Sequence, residues 1–345
     1  MKRALALVAL AGLLAVAAVA GRANASPARA AGVNISGAGS TFVFPLVSAW
    51  IPQLGSAYGY NVSYSPVGSG AGIAAVTART VDFGASDAPL SPDQFTACNG
   101  CIQLPWALSA TSIAYNLPGL NCVVRLTGDV LARIYLGQIT TWDDGAIKAL
   151  NGSCNLPSTK ITPVYRSDNS GTSYNFTDFL SAVNPSWKSK IGVGVNAQWP
   201  TGVGAKGSSG VAGVVTKTPG AICYVDVAYA LNNKLRTAWI KNASGKYASP
   251  GLRGIAAAAA TLPAKITGNG AISIVNPPKG NPLAYPISTF TYVIVPIKSS
   301  KAADLRKLIY WAITAGQQSG PKLRFQPLPK QVQAFDFKQI KLITG

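Results

Sequence analysis

The chain has 345 residues, of which 48% are hydrophobic and 12% are charged, so it can bury one large or two ordinary domain cores, and a largely disordered chain is excluded. The formal net charge is +19, but the basic residues are scattered singly and no aromatic-basic repeat accompanies them, so nucleic-acid binding is not predicted. The sequence has no histidine, which removes the commonest general base, the usual activator of a serine nucleophile and the commonest metal ligand.

The N-terminus has the pattern of a secretory signal. Lys2 and Arg3 precede an apolar run over residues 4–20. Small residues suitable for cleavage follow the run: Ala23, Ala25, Ala28 and Ala30. We therefore predict a signal peptide over residues 1–30 and an exported protein, in the periplasm or at the extracellular face of the cytoplasmic membrane. An uncleaved membrane anchor is the alternative, because 17 apolar residues are close to a spanning length.

The five cysteines are typical of an oxidising compartment: Cys98, Cys101, Cys122, Cys154 and Cys223. One or two disulfides and one remaining thiol are expected, and the pairing cannot be read from the sequence. Cys98 and Cys101 have the spacing of metal ligands, but zinc would need two further ligands and no histidine is present, so no metal and no cofactor are predicted.

A glycine-rich turn over residues 37–42 links a short strand to a helical pattern that continues to Leu54. Thr41 is expected at the N-cap of this helix, and Pro45 is tolerated in its first turn because no hydrogen bond is lost there. The free N–H groups and the positive dipole end of a helix N-terminus attract an anion.

The same arrangement of a strand, a turn and a helix is predicted twice more. Residues 61–72 alternate as a strand and then break at glycines around Ser69. Residues 160–176 form a strand that ends at Arg166, a turn through Ser170 and a helix. Each junction alone is consistent with ordinary capping, but three of them beside an arginine favour an oxyanion site.

The roles of two aspartates each allow more than one interpretation. Asp87 follows a short strand in residues 81–90, where it could be a turn or cap carboxylate. Asp168 could be a turn former, or it could pair with Arg166 and hold its guanidinium in place.

The last elements complete an alternation of strands and helices, which predicts the fold class α/β. Residues 289–297 are typical of a buried strand, Ser300 is expected to open a helix, and residues 328–344 are expected to form a weaker basic amphipathic helix.

Long segments in this order resemble the substrate-binding proteins of bacterial phosphate ABC importers. They include GAGSTF, YSPVGSGAG, TVDFGASDAPL, IYLGQITTWDD, YRSDNSGTSYNFTDFL and WPTGVGAKGSSGVAGVVTKTPGAICYVDVAYAL. The resemblance implies a two-lobed periplasmic-binding-protein-like fold of type II, with the ligand in a cleft between the lobes and hinge strands joining them. The implied division is residues 31–112 for the first part of lobe 1, 113–285 for lobe 2 and 286–345 for the rest of lobe 1.

The resemblance also implies the ligand groups. They are Thr41, Phe42, Ser69 and Asp87 from one lobe and Arg166, Ser170, Gly171 and Thr172 from the other, with Asp168 orienting Arg166. A dehydrated phosphate needs every oxygen satisfied, which hydroxyls, backbone N–H groups and one guanidinium can do. Phosphate near neutral pH can donate a hydrogen bond to Asp87, whereas sulfate has no proton to donate.

We therefore expect a monomeric protein, not an enzyme, that binds inorganic phosphate and passes it to the membrane permease subunits of an ABC importer. Three alternatives stay open, of which one is a surface adhesion or scaffold protein whose basic face matters more than its cleft. A phosphoester hydrolase would use Ser170 or Thr172 as nucleophile, and a binder of another oxyanion such as sulfate would use the same cleft.

Overall fold

The structure is a computed structural model that describes residues 32–345, so the predicted signal peptide lies outside the described residues. The strands are β1 Asn34–Gly39, β2 Asn61–Ser65, β3 Phe83–Ser86, β4 Cys101–Tyr115, β5 Arg125–Leu126, β6 Thr162–Arg166, β7 Val203–Ala205, β8 Ala221–Asp226, β9 Arg236–Thr237, β10 Trp239–Lys241, β11 Tyr247–Ala248 and β12 Ser288–Pro296. The helices are α1 Phe44–Tyr58, α2 Ser69–Thr77, α3 Pro92–Cys98, α4 Gly128–Tyr135, α5 Gly145–Lys148, α6 Gly171–Val183, α7 Pro185–Lys190, α8 Gly207–Lys217, α9 Val227–Asn232, α10 Leu252–Ala259, α11 Ala302–Ile313 and α12 Lys330–Gln339.

One large sheet has the strand order β2-β1-β3-β12-β4-β8-β6-β7, and β9 pairs with β4 as well. In one half β1 is parallel to β2 and β3, and in the other half β6 is parallel to β7 and β8. The long strand β4 joins the halves, because residues 101–110 pair with β12 and residues 111–115 pair with β8. The mixture of parallel strands and helices confirms the α/β prediction.

The two long antiparallel strands are the centre of the core. Every residue of β4 and β12 is buried, which explains why both are mainly apolar and show no strict alternation of apolar and polar residues. The predicted strand over 289–297 therefore matches β12 within one residue at each end. The lobe boundaries at residues 112 and 285 stay a prediction; the first lies inside β4 and the second three residues before β12.

The entry to α1 differs from the prediction. Thr41 is not its N-cap: the helix begins at Phe44, and the cap position is Val43, whose side chain makes no capping bond. The chain makes an additional turn after β1, so the Ser40 hydroxyl accepts from the N–H groups of Phe42 and Val43, at 3.0 and 3.4 Å, instead. The Thr41 side chain is thereby left for other contacts.

The C-terminal elements also differ in extent. The helix expected from Ser300 begins at Ala302. The helix expected over 328–344 is shorter, since α12 ends at Gln339 and a 3-10 turn over Ile340–Leu342 follows. No helix among residues 32–345 is long and apolar enough to cross a membrane.

Two disulfides and one thiol are present, in agreement with the expected count. The pairs are Cys98–Cys101 and Cys122–Cys154, and Cys223 is a free thiol buried in β8. Burial raises the pKa of this thiol, which keeps it protonated and unreactive. Within the described chain no three cysteine or aspartate side chains are grouped to hold a metal ion.

The Cys122–Cys154 disulfide is expected to contribute more stability than Cys98–Cys101. It closes a loop with a sequence separation of 32, against 3 for the other pair, and a longer loop removes more entropy from the unfolded chain. The double variant C122S/C154S should lose roughly 3 to 4 kcal/mol of unfolding free energy in urea, against about 2 kcal/mol for the control C98S/C101S. Equal losses would contradict the loop-length argument.

Candidate functional site

The carboxyl ends of the parallel strands in both halves lead to the predicted ligand residues. Ser40 and Thr41 follow β1, Asp87 follows β3 and Arg166 is the last residue of β6. Ser69 begins α2 directly after β2 and its connecting loop. Ligand sites in open α/β sheets lie beyond the carboxyl ends of strands, so the topology gathers these residues at one place.

The first half contributes a carboxylate held by a serine. The Ser40 hydroxyl donates to Asp87 Oδ1 at 2.5 Å, and the Tyr64 hydroxyl donates to the carbonyl of Ser40 at 2.8 Å. Asp87 is 2% exposed. The carboxyl group is therefore fixed in direction and removed from solvent.

Ser69 joins the two halves. Its Oγ accepts from the N–H of Gly171 at 3.1 Å and from the N–H of Asp87 at 3.3 Å. Two accepted bonds leave the hydroxyl hydrogen of Ser69 available as a donor.

Gly171 must be a glycine for this approach to occur. A Cβ atom at Gly171 would lie 2.7 Å from both Asp87 Cβ and Ser69 Oγ, which no real side chain tolerates. Gly68 is similar, because its φ is +98° and an added Cβ would lie 2.5 Å from Asp168 Oδ2. These two glycines let the halves close on each other.

Arg166 is a buried cation with a half-buried carboxylate partner. Its Nε donates to Asp168 Oδ1 at 2.7 Å and its Nη2 donates to Asp168 Oδ2 at 2.5 Å, a bidentate pair. Burial opposes ionisation of Asp168, but the hydrogen bonds and charge of Arg166 outweigh it, so the pKa of Asp168 is lowered. The expected orienting role of Asp168 has the geometry it requires.

The third guanidinium nitrogen is free of strong partners. Nη1 of Arg166 has only long contacts, at 3.5 Å, with the hydroxyls of Thr172 and Ser208. A charged donor aimed at a cluster of hydroxyls and otherwise weakly engaged is suited to an oxyanion.

The start of α6 supplies the remaining predicted residues. Ser170 is the N-cap and its Oγ accepts from the N–H of Ser173 at 3.3 Å, while Gly171 and Thr172 are the first residues of the helix. All three are buried. Two of the predicted backbone donors are bonded within the protein, since Phe42 donates to Ser40 and Gly171 to Ser69.

Burial controls the charge of Asp87. Removal from water raises its pKa from 3.8 to about 7, against the opposing effects of the Ser40 hydrogen bond, the Arg166 charge and the Ser69 hydrogen bond. Asp87 therefore changes its protonation state near neutral pH. A cavity of about 190 Å³ adjoins it, lined also by Tyr174, Asn175 and residues 271–275.

Four residues outside the predicted set lie among the predicted ligands: Ser40, Ser208, Tyr224 and Asp226. The Tyr224 hydroxyl accepts from the backbone N–H of Arg166 at 2.9 Å and lies 2.7 Å from Ser173 Oγ. The sequence carried a signal for both residues, because Ser208 follows a short strand and Asp226 ends one within the segments that resemble the family, but neither belongs to a motif with a predicted ligand.

Comparison with known proteins identifies the family. The family model of the PBP superfamily domain matches residues 24–315. The phosphate-binding protein PstS of Xylella fastidiosa is 38% identical over 317 residues, which cover 90% of this chain and 86% of the relative. PstS of Methanocaldococcus jannaschii is 30% identical over 341 residues, covering 89% and 86%.

The chain belongs to the PstS family of phosphate-binding proteins. The family predicted from the sequence segments is thus confirmed.

Solved structures confirm the two-lobed periplasmic-binding-protein fold of this PstS-family chain. A high-affinity periplasmic phosphate-binding protein, solved with phosphate bound, has a TM-score of 0.74 at 23% identity and covers 89% of this chain and 93% of its own. The phosphate-binding protein of Stenotrophomonas maltophilia has a TM-score of 0.68 at 23% identity, covering 88% and 92%.

The variant D87N should flatten the pH dependence of stability in the ligand-free protein. The folded state keeps the Asp87 proton between about pH 4 and 7, where the unfolded chain has released it, so this group lowers the unfolding free energy as pH rises, by up to roughly 1.4 kcal/mol per pH unit. Asparagine cannot ionise. In urea denaturation, the unfolding free energy of D87N minus that of wild type should be larger at pH 8 than at pH 5.

The exposed Asp93 provides the control. The variant D93N should follow wild type at both pH values. A wild-type to D87N difference that stays constant between pH 5 and 8 would show that Asp87 is ionised throughout.

Proposed function

We propose that this chain binds inorganic phosphate between its two lobes outside the cytoplasmic membrane and delivers it to the permease subunits of an ABC importer. Its PstS relatives are named for phosphate binding, and the structural relative described above was solved with phosphate. Those names describe binding proteins, which agrees with a function without covalent chemistry. We propose that it acts as a monomer that is exported by its signal peptide.

The observation that carries the proposal is the surroundings of Arg166 Nη1. Two of the three guanidinium nitrogens are bonded to Asp168, and the third faces the hydroxyls of Thr172 and Ser208 without a strong bond. A small tetrahedral anion at this nitrogen would replace two weak contacts by charge-assisted hydrogen bonds.

The remaining proposed donors surround the same place. Thr41, Phe42 and Ser69 approach from one lobe, and Ser170, Gly171 and Thr172 approach from the other. Because all six are buried, a bound anion would lose its water and would depend on these groups for every hydrogen bond. Phe42 and Gly171 would act through their backbone N–H groups, which would exchange their present serine partners for the anion.

Asp87 would decide between phosphate and sulfate. A carboxylate beside an anion is repulsive unless the anion donates a hydrogen bond, and hydrogen phosphate has a proton for this bond. Sulfate has none, so it would leave Asp87 unpaired or force it to keep its own proton. Sites that leave a buried polar group unpaired reject the analogue strongly.

The surface charge would serve the approach of the anion. Residues 1–30 carry four basic and no acidic side chains, so the chain without them has a net charge of +15. Arg166, Asp87 and Asp168 contribute little net charge at the site itself. Raised ionic strength should therefore slow association more than it changes release.

Titration calorimetry with phosphate, followed in parallel by tryptophan fluorescence, tests the function directly. Heat of binding at micromolar phosphate, with one site per chain, is the expected result. No heat at any concentration up to millimolar would contradict the proposal.

The variant D87N should weaken discrimination against sulfate. Above pH 7 Asp87 is ionised and cannot donate, whereas the asparagine amide can donate to any anion oxygen, so at pH 8 sulfate gains a partner in the variant. Competition calorimetry should give a phosphate-to-sulfate affinity ratio at least about 10-fold lower than in wild type or D93N, since wild-type ratios of this kind reach roughly 10⁴ to 10⁵. An unchanged ratio would remove Asp87 from this role.

The variant R166A should weaken phosphate binding by roughly 2 to 5 kcal/mol while the fold persists, because a buried charged donor is lost and Asp168 is left without its partner. R166K should lie between R166A and wild type, since lysine keeps the charge but cannot form the bidentate pair. R253A at an exposed arginine is the matched control. Affinity in R166A equal to that of R253A would exclude Arg166 from the site.

A further inference from the structure

Ser208 connects predicted ligands from both lobes. It is the second residue of α8, fully buried, and it follows the carboxyl end of β7. Its N–H donates to Thr41 Oγ1 at 3.2 Å, its Oγ lies 2.8 Å from Thr41 Oγ1, and Arg166 Nη1 donates to its Oγ at 3.5 Å. Ser208 thus lies between a hydroxyl of one lobe and the guanidinium of the other.

Asp226 lies behind Ser208 at the end of β8. Its Oδ1 accepts from the N–H of Tyr229 at 3.0 Å, which makes it the N-cap of α9. Its Oδ2 is buried and has no hydrogen-bond partner among residues 32–345. The Ser208 hydroxyl is close enough to this carboxyl to lower its pKa, but it makes no hydrogen bond with Oδ2. A hydrogen bond with the Ser208 hydroxyl would give the unpaired oxygen a partner.

The surroundings of Asp226 favour its neutral form. Burial raises the pKa of its carboxyl well above the usual range and the charge of Asp87 raises it further, while the bond from Tyr229, the nearby Ser208 hydroxyl and the charge of Arg166 oppose the rise. A neutral carboxyl has one hydroxyl hydrogen to donate. Oδ2 is the oxygen available to carry it, because Oδ1 accepts the capping bond.

The order of donors then follows from counting hydrogens. Thr41 Oγ1 already accepts the N–H of Ser208, and its distance of 2.8 Å from Ser208 Oγ requires one hydroxyl to donate to the other. If Asp226 donates to Ser208, then Ser208 donates to Thr41, and the Thr41 hydrogen must point elsewhere. The site beside Arg166 Nη1 is where it can find an acceptor.

We propose that Ser208 and Asp226 are positioning residues of the anion site, and that Asp226, Ser208 and Thr41 form a chain of donors that turns the Thr41 hydroxyl toward the bound anion. The inference rests on the proposed phosphate-binding function. The chain crosses from one lobe to the other, so it forms when the lobes are closed. It donates to any oxyanion and carries no preference between phosphate and sulfate, in contrast to Asp87.

The variant S208A tests the chain, and S209A is the matched control because Ser209 is the neighbouring serine and is exposed. Calorimetry should show phosphate and sulfate binding to S208A about 5- to 30-fold more weakly, the usual loss for one buried hydroxyl bond, with the phosphate-to-sulfate ratio unchanged. S209A should bind as wild type. Thermal melting of each variant checks that the fold is intact.

Two substitutions of Asp226 separate its proposed role from helix capping. D226N keeps the capping oxygen and an N–H donor for Ser208, so phosphate affinity should stay within about 3-fold of wild type. D226S keeps a capping oxygen but is too short to reach Ser208, so it should lose about as much affinity as S208A. The double variant S208A/D226S should lose no more than either single variant, because both break one chain.

The outcomes distinguish this inference from the proposed function. If wild type does not bind phosphate, both are wrong. If wild type binds and S208A binds equally well, or if the S208A ratio of phosphate to sulfate changes, the donor chain alone is wrong. A loss in D226N as large as in D226S would overturn the donating role of Asp226. Such a loss would mean that Ser208 needs an ionised carboxylate as its acceptor, which asparagine cannot supply.

Discussion

The buried guanidinium of Arg166 is the constraint on which the site depends. A cation removed from water is tolerated only when its hydrogens have partners, and Asp168 satisfies two of the three nitrogens. The third nitrogen, Nη1, contacts hydroxyls only at long distance, so the protein does not fully balance its positive charge at this point. A small oxyanion beside this nitrogen would balance that charge.

The fold brings partners to this point through its strand ends. The parallel strands of the two halves end at the same crevice, and the turns beyond them present serine, threonine and aspartate side chains. The long strand β4 belongs to both halves, which gives a continuous backbone connection across the crevice. Glycine at positions 68 and 171 permits the approach, because a Cβ atom at either would collide with the opposite half.

Two buried carboxyl groups, those of Asp87 and Asp226, affect the charge of the site in different ways. Burial raises the pKa of Asp87 to about 7, so this group can change its charge near neutral pH. Burial raises the pKa of Asp226, at the end of β8, well above its usual range, which favours a neutral group that adds little negative charge near Arg166. The sequence has only 11 acidic residues. Three of them, Asp87, Asp168 and Asp226, lie near Arg166, so the local charge of the site differs from that of the basic surface.

The sequence by itself determined the α/β class, the family, the strand that ends at Arg166 and the glycine-containing turns, because these depend on local periodicity and on residues adjacent in the chain. It also placed Asp168 beside Arg166, two positions away. It misplaced the start of α1, because Ser40 and not Thr41 accepts from the N–H groups that follow β1. It missed Ser208 and Asp226, since the contact between Thr41 and Ser208 joins residues 167 positions apart. Such contacts arise only when the two halves of the sheet close on each other, and burial, which sets the protonation of Asp87 and Asp226, exists only in that tertiary structure.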